Sequence, residues 1–225
     1  MNKEKALENL DKLIADVEDA RLQLSEHHIV KIIGISKYST SEDVATLYSA
    51  GQRAFGENKV QDLKEKMNTL EELPLEWHFV GRLQKNKINN LIDLKPTLMQ
   101  SLDSLDLAQE LNKKLEAKNQ KMNCLLQINS AKEESKAGVM PEVAIKIYKE
   151  ILETCPYIKL KGVMSIGAHV EDKEVIEKSF NTTKTIFDEL KPFGVKYCSM
   201  GMSGDFKLAI KCGSNMIRVG STLFK

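Results

Sequence analysis

The sequence predicts a (β/α)8 barrel, an α/β fold in which eight parallel strands close on themselves inside a ring of helices. Three observations carry that expectation. Short apolar or β-branched runs alternate with amphipathic stretches eight times along the chain, the pattern of parallel crossovers. Eight is also the number of strands at which a sheet closes and its own side chains fill the centre. The 225 residues suit one such unit, and no Pro/Gly-rich linker divides them, so residues 1–225 read as a single domain. An open doubly wound sheet is the competing arrangement, but its Gly-rich phosphate fingerprint is absent after the first strand.

Each element has its own justification. Residues 2–26 place Leu7, Leu10, Leu13, Ile14 and Val17 at mostly helical spacing among charges, which predicts an N-terminal amphipathic helix (residues 1–26) packed on the barrel. Residues 29–35 are a β-branched strand ending at Ser36-Lys37-Tyr38. Thr40 then supplies an N-cap, with acids behind it, for a helix to about Ala50. Strands follow near 54–56, 77–80, 98–102, 123–128, 160–166, 197–200 and 216–219. Helices are expected after Asn58, from Gln84 to Leu91, from Ser104 to about Lys118, from Pro141, and from Lys173 to Leu190. Ser203 reads as the N-cap of a short helix after the seventh strand. About five residues follow the eighth strand, too few for an eighth full outer helix, so the N-terminal helix is expected to fill that gap.

Composition excludes several classes of function. Thirty-three Lys+Arg against 32 Asp+Glu leave a formal charge of +1, no footprint for nucleic acid. No stretch offers the roughly 18 consecutive apolar residues of a membrane span, and the N-terminus lacks an apolar signal core. Cys124, Cys155, Cys198 and Cys212 lie far apart with no C-x-x-C pair, so reduced, buried thiols in a cytoplasmic protein are expected, without a metal site.

Barrels collect chemistry at the C-terminal ends of their strands, which here nominates Lys37, Asn58, His78, Asn129, Ser165, Ser203 and the Gly220-Ser221 pair. Most lysines are solvated surface charges. Lys37, however, ends an apolar strand, where loss of hydration would favour a neutral, nucleophilic amine suited to Schiff-base formation. Arg218 sits inside Met216-Ile217-Arg218-Val219, and a guanidinium cannot shed its charge. Its burial demands either a structural ion pair or a ligand heteroatom. The loops holding Ser203 and Gly220-Ser221-Thr222 match the recurring barrel phosphate site after strands seven and eight, against the plainer reading of two ordinary polar loops. His78, between Trp77 and Phe79, reads first as a satisfied core histidine. Met164, Met200 and Met202 suit packing, or contact with a flat aromatic ligand. Residues 132–136 read as a solvated loop, and residues 82–87 as a basic cluster too isolated to argue for RNA. A lysine amine, a phosphate cup and a buried arginine in one barrel mouth suggest a phosphorylated aldehyde held as an imine, with pyridoxal 5′-phosphate (PLP) the obvious candidate.

The segments Gly34-Ile35-Ser36-Lys37, Phe55-Gly56-Glu57-Asn58-Lys59-Val60-Gln61, Trp77-His78-Phe79-Val80-Gly81-Arg82, Lys161-Gly162-Val163-Met164-Ser165, Ser199-Met200-Gly201-Met202-Ser203-Gly204-Asp205 and Ile217-Arg218-Val219-Gly220-Ser221 resemble those of the pyridoxal phosphate homeostasis proteins. The resemblance spans nearly the whole chain, in order. It implies a stand-alone barrel of the fold-type III PLP, alanine racemase N-terminal type, with Lys37 in the internal aldimine and Arg218 facing the pyridine nitrogen. Ser203, Gly220 and Ser221 would hold the phosphate. Asn58 would lie near the aldimine side of the ring and His78 in the pocket wall; Met200, on its reading beside a flat ligand, is counted with the cofactor-binding residues. The stretch Ser165-Ile166-Gly167-Ala168-His169 departs from a more proline-prone pattern.

The resemblance further implies intracellular PLP (vitamin B6) homeostasis, with transient delivery to apo-enzymes and exchange with amino acids. A monomer is expected. A low-activity amino-acid racemase is the alternative, disfavoured because 225 residues leave none for a second domain carrying a partner base. A Schiff-base aldolase of a phosphorylated sugar is a third reading, and it predicts a colourless protein.

Overall fold

A computed structural model of the chain describes residues 1–133, 136–168 and 170–225. Its eight strands are β1 (Lys31–Ile35), β2 (Ala54–Glu57), β3 (Glu76–Phe79), β4 (Leu98–Leu102), β5 (Met122–Ile128), β6 (Ile158–Ser165), β7 (Tyr197–Ser199) and β8 (Met216–Val219). They close in sequence order, β1 pairing with both β2 and β8 in parallel. The expected (β/α)8 barrel is what forms.

The outer ring holds α1 (Lys3–Leu22), α2 (Ser41–Ala50), α3 (Val60–Thr69), α4 (Ile88–Leu94), α5 (Leu105–Ala117), α6 (Pro141–Thr154), α7 (Lys173–Glu189), α8 (Phe206–Lys211) and a single turn, α9 (Ser221–Phe224). Local chemistry sets the boundaries. Thr40 and Asp43 form a reciprocal capping box at the start of α2, and Ser104 accepts the Leu107 N–H at the start of α5, each satisfying donors that the first turn leaves free. Ser203 does not cap α8 as expected; Asp205 takes the cap position, and its carboxylate accepts the Met202 N–H at 2.6 Å. The one-turn α9 also follows β8, where no outer helix was expected. The gap it leaves is filled by α1, which packs between α2 and the α8–α9 corner. Asn9 ties the join by donating to the Leu223 and Lys225 carbonyls.

Alternation along the strands separates two apolar regions. Outward residues such as Phe55, Phe79, Met99, Leu126 and Val163 join the helices in one large core. Inward residues Ile33, Ala54, Leu98, Leu125, Met164 and Met216 form a small inner cluster. Arg218 stands two residues beyond Met216, which directs it inward above that cluster. All four cysteines are buried and free. Among the described residues, no helix is long and apolar enough to cross a membrane.

Candidate functional site at the C-terminal mouth

A cavity of about 640 Å³ opens at the C-terminal ends of the strands, lined among others by Lys37, Asn58, Met164, Ser203, Arg218, Gly220 and Ser221. That size is ordinary for a small-ligand site. Six of the eight residues anticipated from sequence therefore share one cavity: Lys37, Asn58, Ser203, Arg218, Gly220 and Ser221.

Lys37 lies two residues past β1. Its backbone is set by a buried device beneath it. Lys66, on α3, donates to the Ser36 carbonyl at 2.6 Å and to Glu57 Oε1 at 2.5 Å, and the Ser36 hydroxyl donates to the same oxygen at 2.6 Å. The residue is exposed, and its amine stands 4.9 Å from the centre of the Tyr38 ring. The expected loss of hydration at Lys37 is therefore not met; the residue projects past the strand end into solvent beside an aromatic face.

Asn58 follows β2 and is held by close backbone approach. A Cβ at Gly81 would fall 1.9 Å from the Asn58 carbonyl oxygen, so only glycine permits the two strand ends to meet there. The Ser101 hydroxyl donates to the Gly81 carbonyl at 2.6 Å and fixes the other side.

The cup at the ends of β7 and β8 is built from backbone. Gly201 has φ +94°, and a Cβ there would strike Ala209 and Phe206, so the turn leaving β7 requires glycine. The turn delivers Ser203 against the start of α9, where its hydroxyl oxygen accepts the Gly220 N–H at 3.2 Å and the Thr222 N–H at 3.4 Å. Two amide donors thus aim at one point on the cavity wall, as a phosphate requires.

Arg218 is 5% exposed. It donates to the Ser199 hydroxyl at 2.7 Å and to the Ser165 carbonyl at 2.8 Å. Both acceptors are neutral, and no carboxylate among the described residues lies within ion-pair distance of it. The structural ion pair considered for Arg218 is therefore absent among the described residues. Burial lowers its pKa to about 10, with Asp205 acting against the shift, so the guanidinium stays charged at neutral pH.

Two expected pocket residues lie elsewhere. His78 is 1% exposed and points into the barrel toward its opposite end, between Glu76 and Gln100, which is the core-histidine reading. Met200 is fully buried in the outer core, because the residue after inward Ser199 faces the helices; Met164 and Met202 line the cavity instead. Asn129 closes its own loop through the Glu133 and Lys136 carbonyls. Ser165 turns its hydroxyl outward to Thr183. Lys136 is not simply solvated, since it donates to the Gly167 carbonyl at 3.1 Å and joins the loops after β5 and β6. Glu134, Ser135 and His169, in the two loops singled out from sequence, lie outside the described residues. Sequence reasoning missed Tyr38, Val80, Gly81 and Phe224 in the cavity lining. Tyr38 directly follows Lys37, Val80 ends the strand expected at 77–80 and Gly81 follows it, signals that would have found them; Phe224 carried none.

Fold and site together define a class: the barrel of the alanine racemase N-terminal domain, whose family model matches residues 9–225. Alanine racemase of Clostridium difficile 630 shares the fold, at 21% identity and a TM-score of 0.75, covering 96% of this chain and 56% of that one. Within the class the chain belongs to the pyridoxal phosphate homeostasis protein family. It is 57% identical over 218 residues to the pyridoxal phosphate homeostasis protein of Helicobacter pylori (strain ATCC 700392 / 26695), covering 97% of each chain. It is 35% identical to the Homo sapiens protein of that name, covering 86% of this chain and 75% of the other. PipY of Synechococcus elongatus PCC7942, solved with PLP bound, superposes with a TM-score of 0.82 at 29% identity, covering 98% of this chain and all of that one.

Proposed function

We propose that this protein binds PLP at the C-terminal mouth of the barrel and serves intracellular PLP homeostasis by holding the cofactor reversibly. One observation carries the reading. A lysine side chain, the Ser203 hydroxyl with the Gly220 amide converging on it, and a buried arginine with no carboxylate partner among the described residues line a single cavity. The residues fit the group. The Gly220 and Thr222 amides with the Ser203 and Ser221 hydroxyls suit the phosphate, Lys37 suits the aldehyde, and Arg218 suits the ring nitrogen.

When bound, PLP supplies an electrophilic carbon for amines and an electron-withdrawing ring. The chain's residues favour holding over turnover. A fixed cation at the ring nitrogen disfavours protonation there and weakens the ring as an electron sink. Racemisation needs a second acid–base group across the site from the lysine. The ionisable lining residues among those described are Lys37, Tyr38, Arg218 and Lys225. Tyr38 stands beside Lys37 rather than opposite it, and is 91% exposed. A mouth that no described element covers suits exchange with free amino acids and transient handover to apo-enzymes, and a site complete within one chain suits a cytoplasmic monomer.

The test is an absorbance spectrum of the purified protein with PLP, followed by borohydride reduction and peptide mapping. A visible band and a reduced adduct on Lys37 are expected, both lost in Lys37→Ala. A band surviving in that variant overturns the lysine assignment. A protein that takes no PLP, and remains colourless, overturns the binding reading and restores the aldolase.

A further inference from the structure

The barrel interior holds a chain of polar side chains that the cofactor cup does not use. From the pocket floor, Arg218 meets Ser199 Oγ at 2.7 Å, Ser199 meets Gln100 Oε1 at 2.7 Å, Gln100 Nε2 meets His78 Nδ1 at 2.8 Å, and His78 Nε2 meets Glu76 Oε1 at 2.8 Å. Glu76 then pairs with Lys31. Glu76 and His78 line a cavity of about 110 Å³ at the strands' N-terminal ends. The chain therefore runs from one barrel mouth to the other, through β8, β7, β4 and β3.

Its direction is fixed at every link. The Glu76 carboxylate only accepts, so His78 carries its proton on Nε2. Burial keeps the imidazole neutral, so Nδ1 accepts and Gln100 must present its amide nitrogen there. The Gln100 oxygen is left for the Ser199 hydroxyl proton, and the Ser199 oxygen is left for Arg218. Every hydrogen thus points from the arginine toward the glutamate. Aligned hydrogen bonds of this kind polarise one another, and they link the guanidinium to a counter-charge at Glu76, no carboxylate among the described residues lying within ion-pair distance of it. With the Ser165 carbonyl taking a second N–H, the plane of the group is set.

We propose that Ser199, Gln100 and His78 are positioning residues for Arg218, orienting its remaining N–H donors toward the ligand and coupling them to the Glu76–Lys31 pair at the opposite mouth. Toward PLP this rests on the reading that Arg218 faces the ring nitrogen. The chain itself is testable without ligand.

In ligand-free protein, ¹⁵N NMR of the imidazole should show His78 as the Nε2–H tautomer near neutral pH, and the Arg218 Nη protons should be resolved by slow rotation. Ser199→Ala should average those protons while removing only one atom. His78→Phe should do the same, and His78→Gln, which retains a donor and an acceptor, should restore them. PLP affinity should fall about tenfold in Ser199→Ala and His78→Phe, the worth of one charged hydrogen bond, and recover in His78→Gln. An Nδ1–H tautomer or an imidazolium in the wild type overturns the chain. Unchanged Arg218 signals in folded Ser199→Ala overturn the positioning role even if His78→Phe fails to fold. If wild-type protein takes no PLP, the binding reading fails while the ligand-free spectra still decide the chain.

Discussion

Lys66 and Glu57 meet on the outward face of β2, where the other strands present apolar side chains to the helices. Glu57 is fully buried, and its second oxygen, Oε2, has no hydrogen-bond partner among the described residues. Its other oxygen accepts from the Ser36 hydroxyl and from the ammonium that α3 returns nine positions later. Removing one member of a buried pair strands the other charge, typically at a cost of about 3–5 kcal/mol, whereas replacing both is often close to neutral. Lys66→Met should therefore lose about 3–5 kcal/mol in urea denaturation, and Glu57→Leu combined with Lys66→Met should regain most of it. Because Lys66 also donates to the Ser36 carbonyl beside Lys37, the single variant should bind PLP more weakly as well. Neither residue was legible as a pair in the sequence. Glu57 sits beside Asn58 and read as one more polar strand end, and the partner becomes visible only once the strand-to-helix turn is known. Arg218 was legible, because a guanidinium inside a four-residue apolar strand has nowhere to go but inward.

Among the elements, α1 has the least ordinary task, since it completes a ring that α9 is too short to close. Its buried side, Ala6, Leu10, Leu13 and Val17, follows helical spacing, so both its existence and its inner face could be read directly. Its seat could be inferred only from the shortage of residues after β8. Leu13 is fully buried, while Leu7 on the same helix is 38% exposed. Leu13→Ala should cost about 2–5 kcal/mol through lost transfer energy and the cavity left behind, and Leu7→Ala within about 0.5 kcal/mol. Thermal or urea unfolding of the two variants checks the contrast; equal losses would place α1 differently from the packing described. Strand boundaries were legible to within about two residues because β-branched runs mark them. Loop side chains were not: Ser203 looked like a cap by its type, but the chain turns at Gly201 and carries its hydroxyl to the α9 amides instead.

At the scale of the whole molecule, the axial chain links four strands through side chains alone, and it makes barrel stability depend on pH at its far end. Strand alternation made the inward positions predictable, yet Glu76, His78, Gln100 and Ser199 come from three different strands, and no sequence spacing joins them. Glu76 is the group that titrates. The His78 hydrogen bond, opposed by burial and aided by Lys31, holds its pKa at about 2 against an ordinary 4.5. A carboxylate whose pKa is depressed in the folded state stabilises that state fully above its unfolded value. The unfolded chain takes up the proton first, so this stabilisation falls progressively as pH drops from about 4.5 and is gone below about 2. Because the carboxylate is partly exposed, solvent screening leaves stabilisation on the order of 1–2 kcal/mol at neutral pH. In urea titrations across pH, wild-type protein should therefore exceed Glu76→Gln by a constant margin above about pH 5, and the two curves should converge as pH approaches 2. Parallel curves through that window would mean that Glu76 is not held by His78, and the far anchor of the chain would be lost.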